Sequence, residues 1–354
     1  MINLKKKSSK LYSKCDLGKM LNDLTNNIFD VYSNFLKISE DKSNIPYELR
    51  KEYKNIANKF LLSNLYILIN KYIKLKEYQS KGKDLTSAEK KIINKIESLK
   101  LCHYTSFENF QKMLENHQLW FSTLTKMNDS DEGKFLNEYI KNIYLNDTNF
   151  ILLEKIKKNL NNFFTFSFTT EIDNSTHWVQ YGSNGQGICL VSSFKKICLF
   201  FNQKTFSLTP ILYLPLSERE EHNIYLDSIL STAISKKESK PDFIPLQLAS
   251  WSPVVKNSSF NNESEFRLIY HDNGNIKSFH KSQDNKFLQL FLDDYIKERN
   301  LKGDLFSLLY EGIVIGPECS YTVDQINSLL DSKINSNLKV DKSKSTLIQK
   351  IKSS

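Results

Sequence analysis

Apolar residues recur at helical spacing through the first hundred positions and then contract into short runs separated by turns. In "LGKMLNDLTNNIFDVYSNFLKI" the positions Leu21, Leu24, Ile28 and Val31 share one helical stripe, and "FLLSNLYILINKYIKLKEY" continues with a broad apolar face. A further helix is predicted from Ser87, after the connecting loop "QSKGKDLTS" at residues 79–87. Beyond residue 100, "LCHYT", "LWFSTL", "FFTFSFT", "GICLVSS", "ILYLPL", "EFRLIYH" and "GIVIG" read as strands rich in Phe, Ile, Val and Tyr. Between the first two, Thr105 stands three residues before Glu108. That is the spacing of a capping box, and it predicts a helix that buries Phe107, Phe110 and Leu114. Thr322 and Gln325 repeat the spacing ahead of a closing helix in "SYTVDQINSLLDSKI".

This pattern predicts an α+β protein with a mixed or mostly antiparallel sheet and flanking helices, not a regular βαβ array. Three segments follow: a helical region over residues 1–99, a sheet domain over 100–335, and a tail over 336–354 that is either loosely held or a short final helix. There is no internal repeat.

Charge sharpens the division. Residues 1–100 hold 21 Lys and Arg against 11 Asp and Glu, whereas the remainder holds 28 against 29, so the net +9 of the 354-residue chain belongs to its helical start. A basic helical segment can meet nucleic acid, an anionic membrane surface or an acidic partner, although a solvated Lys-rich face accounts for it more simply. Five cysteines without a CxxC pair point to a reducing compartment and give no sign of a zinc site. The basic N-terminus has no hydrophobic core behind it, and no apolar run approaches the roughly 18 residues of a membrane span. The expected location is therefore the cytoplasm, or a host cell reached without a signal peptide of the usual kind.

Three places could carry chemistry. His103 lies at a strand end beside a helix N-terminus, where a neutral imidazole can bond a sugar hydroxyl or simply fix the turn. In "SFTTEIDNSTHWVQYGSNGQGICLVSS", Trp178 and Tyr181 share a face if the segment is helical, and Gly182, Gly185 and Gly187 let the chain turn into the next strand. Such aromatics stack on a flat ring or belong to the core. In "NNESEFRLIYH", strand alternation puts Glu263, Glu265, Arg267 and Ile269 on one face, where Arg267 keeps Glu265 ionised. Cys102 and His103, being adjacent on a strand, point to opposite faces and cannot form a nucleophile pair. "NDSDEG" at 128–133 resembles part of a calcium loop but has Ile140 where the last acidic ligand belongs, so no metal site is expected.

Taken together, "HYTSFENFQKMLENHQLWFSTLTKMNDSDEG", "FSFTTEIDNSTHWVQYGSNGQGICL", "ESEFRLI" and "GIVIGPECS" resemble a widespread bacterial family of unknown function, with Phe266 where that family carries Trp. That family looks related to the ADP-ribosyltransferase-like fold, a split β-sheet that binds NAD. The resemblance implies NAD as substrate, with His103 at the adenosine side, Tyr181 or Trp178 on the nicotinamide, and Glu265 on the nicotinamide ribose. Glu263 would then orient the acceptor, possible arginine included, while Tyr104, Thr105 and Arg267 complete the cofactor-binding set. It further implies mono-ADP-ribosylation of a macromolecule, protein rather than nucleic acid, by a toxin, effector or defence protein. NAD hydrolysis, or a non-catalytic nucleotide- or nucleic-acid-binding module, are the alternatives.

Overall fold

The computed structural model describes residues 65–124, 154, 156, 158–201, 205–214, 249–250, 252–272, 276–282, 287–303, 305–334 and 338–345. The helical stripe at residues 21–31, the acidic run at 128–133 and most of the basic N-terminal region lie outside them. The chain divides into two compact units, Met1–Ile96 with Leu214–Leu248, and Glu97–Tyr213 with Ala249–Ser354.

In the first unit, α1 (Leu65–Ser80) buries Leu68, Ile69, Tyr72 and Leu75, the i, i+3, i+4 stripe that its sequence predicts. Helix α2 (Ser87–Glu97) buries Ile92, Ile93 and Ile96. Its first turn is closed by a reciprocal cap, in which the Thr86 amide donates to Glu89 and the Glu89 amide to the Thr86 hydroxyl. No helix among the described residues is long and apolar enough to cross a membrane.

The second unit is built on a ten-stranded sheet. In chain order it contains β1 (Lys100–Thr105), α3 (Phe107–Asn116), β2 (Gln118–Thr123), β3 (Phe163–Thr169), α4 (Ser175–Gln180), β4 (Ile188–Ser193), α5 (Phe194–Phe200), β5 (Phe206–Pro210), β6 (Leu212–Leu214) and β7 (Val255–Asn257). After a 3-10 turn at Ser258–Glu263 come β8 (Glu265–His271), β9 (Phe279–Lys281), β10 (Phe287–Phe291), α6 (Leu292–Glu298), α7 (Leu305–Leu309), β11 (Gly312–Ile315), α8 (Val323–Ile334) and β12 (Lys339–Lys342). The sheet runs β12-β11-β4-β1-β3-β2-β10-β9, with β8 on β3 and β5 on β8, while β6 and β7 form a separate pair. Every neighbouring pair in the large sheet is antiparallel except β11 and β12. The architecture is thus α+β with a mixed, mainly antiparallel sheet, as the apolar pattern predicts.

Aromatic rings fill one side of this sheet. Phe121, Phe201, Phe206, Tyr270, Phe279 and Tyr295 contact one another, with Tyr270 stacked on Phe279 at 4.5 Å between centroids. Each such pair adds about 0.5–1.5 kcal/mol beyond the area it buries.

Three expectations need correction. The cap of α3 is Ser106, whose hydroxyl accepts from the Asn109 amide, because Thr105 is still paired with Ile188 in the β1–β4 ladder. Phe107 is only half-buried on that helix and stacks on Tyr321, and Met113 joins Phe110 and Leu114 inside. In the tail, residues 339–342 form neither a loose end nor a helix: β12 pairs along β11 from Gly312–Lys339 to Ile315–Lys342. The closing helix α8 has the predicted cap, with Thr322 and Gln325 exchanging amide hydrogen bonds.

Candidate functional site

The sheet parts between β1 and β3. These strands pair only at Cys102 and Thr169, whereas the β1–β4 ladder runs from Lys100 to Thr105. The same edge of β3 pairs with β2 at Phe164 and Thr165, so between Thr165 and Thr169 neither neighbour reaches it. The Ser167 carbonyl at this gap must find a partner elsewhere. His103 supplies it through Nδ1–H at 2.8 Å and stacks on Phe166 with ring centroids 4.2 Å apart. Because Nδ1 carries the proton, Nε2 presents a lone pair.

Burial pushes the His103 pKa down to about 4, against the smaller upward pull of the Ser167 carbonyl, so the ring is neutral at pH 7. A stability consequence follows. Between pH 6.5 and pH 4 the unfolded chain binds a proton at this position that the folded chain refuses, so the contribution is whole above pH 6.5 and lost as pH falls towards 4. The loss should reach at most about 3 kcal/mol. Urea titrations from pH 7 to pH 4 should show this fall in wild type and a flatter profile in His103→Gln; equal profiles would remove His103 as its source.

The gap opens into a cavity of about 530 Å³ lined by residues of β1, β3, α4 and its following turn, β7, the 3-10 turn and β8. At its floor Glu265, the first residue of β8, is buried and held on both oxygens. Arg267 donates through Nε to Oε1 at 2.7 Å and through its terminal nitrogen to Oε2 at 3.1 Å. Ser167 donates to Oε1 at 2.7 Å, and the Lys256 ammonium stands 3.6 Å from Oε2. Burial alone would raise the Glu265 pKa, but the charge and hydrogen bonds of Arg267, followed by Lys256 and Ser167, hold it below the ordinary carboxylate value. The acid is ionised at neutral pH, as its Arg267 neighbour predicts.

Glu263 reaches the same cavity by a different route from the predicted one. It is the last residue of the 3-10 turn, not part of the strand, and Ser264 follows it in the left-handed region at φ 45°. Its carbonyl is fixed by the Thr169 hydroxyl at 2.7 Å and by His177 Nε2 at 3.1 Å. Its carboxylate accepts from the Tyr181 hydroxyl at 2.7 Å and from the Lys256 ammonium at 2.7 Å.

Tyr181 is placed by the segment before it. Asn174 caps α4 by accepting from the Thr176 amide, and the helix ends at Gln180, so Tyr181 falls just outside it. Trp178 and Tyr181 therefore do not share a face. Tyr181 lines the cavity and is exposed, while Trp178 is fully buried with Cys102, Tyr104 and Cys189. The indole N–H of Trp178 donates to Asp173 at 2.8 Å. Asp173 also accepts from the Ser343 hydroxyl and, at 2.8 Å, from the Lys344 amide, which ties the end of β12 to the base of α4. The glycine turn then closes against β1: a Cβ on Gly187 would lie 2.2 Å from the Thr105 carbonyl oxygen, so only glycine permits that approach.

Of the predicted residues, His103, Tyr104, Tyr181, Glu263 and Glu265 line one cavity. Trp178, Thr105 and Arg267 do not. Trp178 is core, Thr105 belongs to the strand ladder, and Arg267 lies beneath Glu265, bonded to it and to the Pro253 carbonyl. Tyr104 is committed structurally as well, donating to the Glu171 carbonyl and accepting from the Asn174 amide. The spacing arguments missed Ser167, His177 and Lys256, all of them cavity residues. Ser167 left a trace, as a hydroxyl within the aromatic run "FFTFSFT". Cys102 also borders the cavity, but burial raises its thiol pKa well above the ordinary value, so it is a protonated donor to the Thr169 and Glu171 carbonyls and not a nucleophile. No cluster of His, Cys, Asp and Glu among the described residues could hold a metal ion.

No curated protein and no solved structure matches this chain. Residues 177–268, the segment that carries His177, Tyr181, Lys256, Glu263, Glu265 and Arg267, match the model of a family described as a protein of unknown function (DUF2971), so the motif resemblance to such a family is met over that span.

Proposed function

We propose that the cavity binds NAD and that the chain is a mono-ADP-ribosyltransferase, its sheet a version of the split NAD-binding sheet. The observation that carries this is the convergence of a neutral imidazole, an exposed tyrosine and two carboxylates on one cavity where β1 and β3 part. Its volume of about 530 Å³ suits a nucleotide-sized ligand, since small-molecule sites span about 300–1,000 Å³. His103 offers Nε2 to a hydroxyl or amino donor, and Tyr181 offers a ring on which nicotinamide can stack.

Cleavage of the nicotinamide–ribose bond sends its electron pair to the ring nitrogen and leaves positive charge on the sugar. A carboxylate already ionised and held by Ser167 and Arg267 stabilises that charge without reorganising. Glu265 is assigned this role, and Glu263, nearer the Tyr181 side, faces the acceptor. Water in place of the acceptor would make the enzyme an NAD hydrolase.

The test is incubation of the whole chain with adenine-labelled NAD and cell lysate, following free nicotinamide by chromatography and transferred label by mass spectrometry. Released nicotinamide with labelled macromolecule supports the transferase, and release without label the hydrolase. The complete engagement of Glu265 by Ser167, Arg267 and Lys256 favours a second reading, a module that binds a nucleotide without chemistry. Calorimetric NAD binding with no nicotinamide release would select it; absence of both would end the NAD assignment.

A further inference from the structure

Resting on the transferase reading, the charge balance of the cavity bears on what accepts the ADP-ribose. Two carboxylates on residues spaced two apart suggest a site for a guanidinium or ammonium acceptor, which would need at least one of them free. Neither is. The Lys256 ammonium is 2.7 Å from Glu263 Oε2 and 3.6 Å from Glu265 Oε2, buried between the two acids and 4.6 Å above the Phe260 ring. Tyr181 occupies the other oxygen of Glu263, and Arg267 answers Glu265. The position that a cationic acceptor would take is thus filled by a cation of the chain itself, held by a short strand and an aromatic face. An incoming guanidinium would have to displace a buried ion pair and meet Lys256 as a like charge.

We propose that Lys256 is a specificity-determining residue that closes Glu263 to cationic acceptors, so that ADP-ribose passes to an uncharged hydroxyl. A hydroxyl needs no counter-charge. It requires only an oxygen lone pair to take its proton as it attacks the anomeric carbon, and Glu263 offers one beside the Tyr181 hydroxyl. The step balances: the acceptor O–C bond forms, the C–N bond to nicotinamide breaks with its electron pair leaving on nicotinamide, and the hydroxyl proton passes to the Glu263 carboxylate and then to water.

The experiment uses labelled NAD with agmatine, a small guanidinium probe, and measures agmatine adduct per nicotinamide released for wild type, Lys256→Met and Lys256→Arg, with thermal melts to identify any variant that does not fold. Wild type should release nicotinamide with only a trace of agmatine adduct, Lys256→Arg should match it, and Lys256→Met should raise the ratio by about 10²-fold, the scale of a relieved like-charge contact. Label in lysate proteins should map to hydroxyl side chains. Agmatine modified by wild type in step with nicotinamide release, or an unchanged ratio in a folded Lys256→Met chain, would overturn the role of Lys256 and leave the transferase reading standing. If Lys256→Met does not fold, the Lys256→Arg ratio and the mapped adducts decide. Absence of nicotinamide release in every chain would remove the transferase reading and this inference together.

Discussion

Glu265→Gln is expected to lower nicotinamide release by about 10²- to 10³-fold, the cost of removing one preorganised group from a developing charge. The substitution keeps the side-chain shape and leaves an oxygen for Ser167 or Arg267, so the loss reflects charge and not collapse of the cavity. Since the sugar becomes positive only at the transition state, kcat should carry the deficit, with KM for NAD and calorimetric affinity changed little. The comparison requires single-turnover nicotinamide release for both chains. Equal rates would strip Glu265 of its role and leave Glu263 as the remaining acid of the cavity.

Arg267→Met should destabilise the fold by about 3–5 kcal/mol, the range found when one member of a buried pair is removed. Arg267 is almost wholly buried, bonded to both Glu265 oxygens and to the Pro253 carbonyl, so its removal strands a carboxylate and an acceptor together. Lys256 and Ser167 remain near the acid and set the loss towards the lower end. Adding Glu265→Gln should recover part of it, because the uncompensated charge is then gone. Urea midpoints for the two single variants and the double variant give the coupling directly. A single-variant loss under about 1 kcal/mol would mean that water already solvates the pair.

Most strands and helices with clear periodicity were legible in the chain, although β5 and β10, five residues each, were not read as strands. Six of the seven apolar runs lie in strands of the large sheet and the described part of the other forms β6, while Thr322 and Gln325 mark their helix correctly because a capping box is a local signal. Less legible were β7, β9 and β12, each of three or four residues, since "VKN", "FHK" and "KVDK" are too short and polar for an alternation to stand out. The β12 strand is held by pairing with β11, a partner more than twenty residues away that no local pattern names. The same limit governs the site. Alternation put Glu265 and Arg267 on one face correctly, but it extended the strand through Glu263, where Ser264 instead takes a left-handed turn. Nothing in the local pattern marks Lys256. Its placement depends on β7 lying beside the 3-10 turn, which only the folded chain brings about. Helical spacing paired Trp178 with Tyr181, and it failed because α4 stops one residue early.

Asp173 joins two parts of the polypeptide that are distant in sequence: its carboxylate receives the indole of α4 and, from just past the end of β12, the backbone amide of Lys344. That amide is therefore a built-in reporter on the segment that leads from Asp173 through α4 to Tyr181. Its deuterium uptake, followed by mass spectrometry, should slow when a nucleotide steadies the segment from Asp173 to Tyr181, so that occupancy can be followed with neither a label on the ligand nor any turnover.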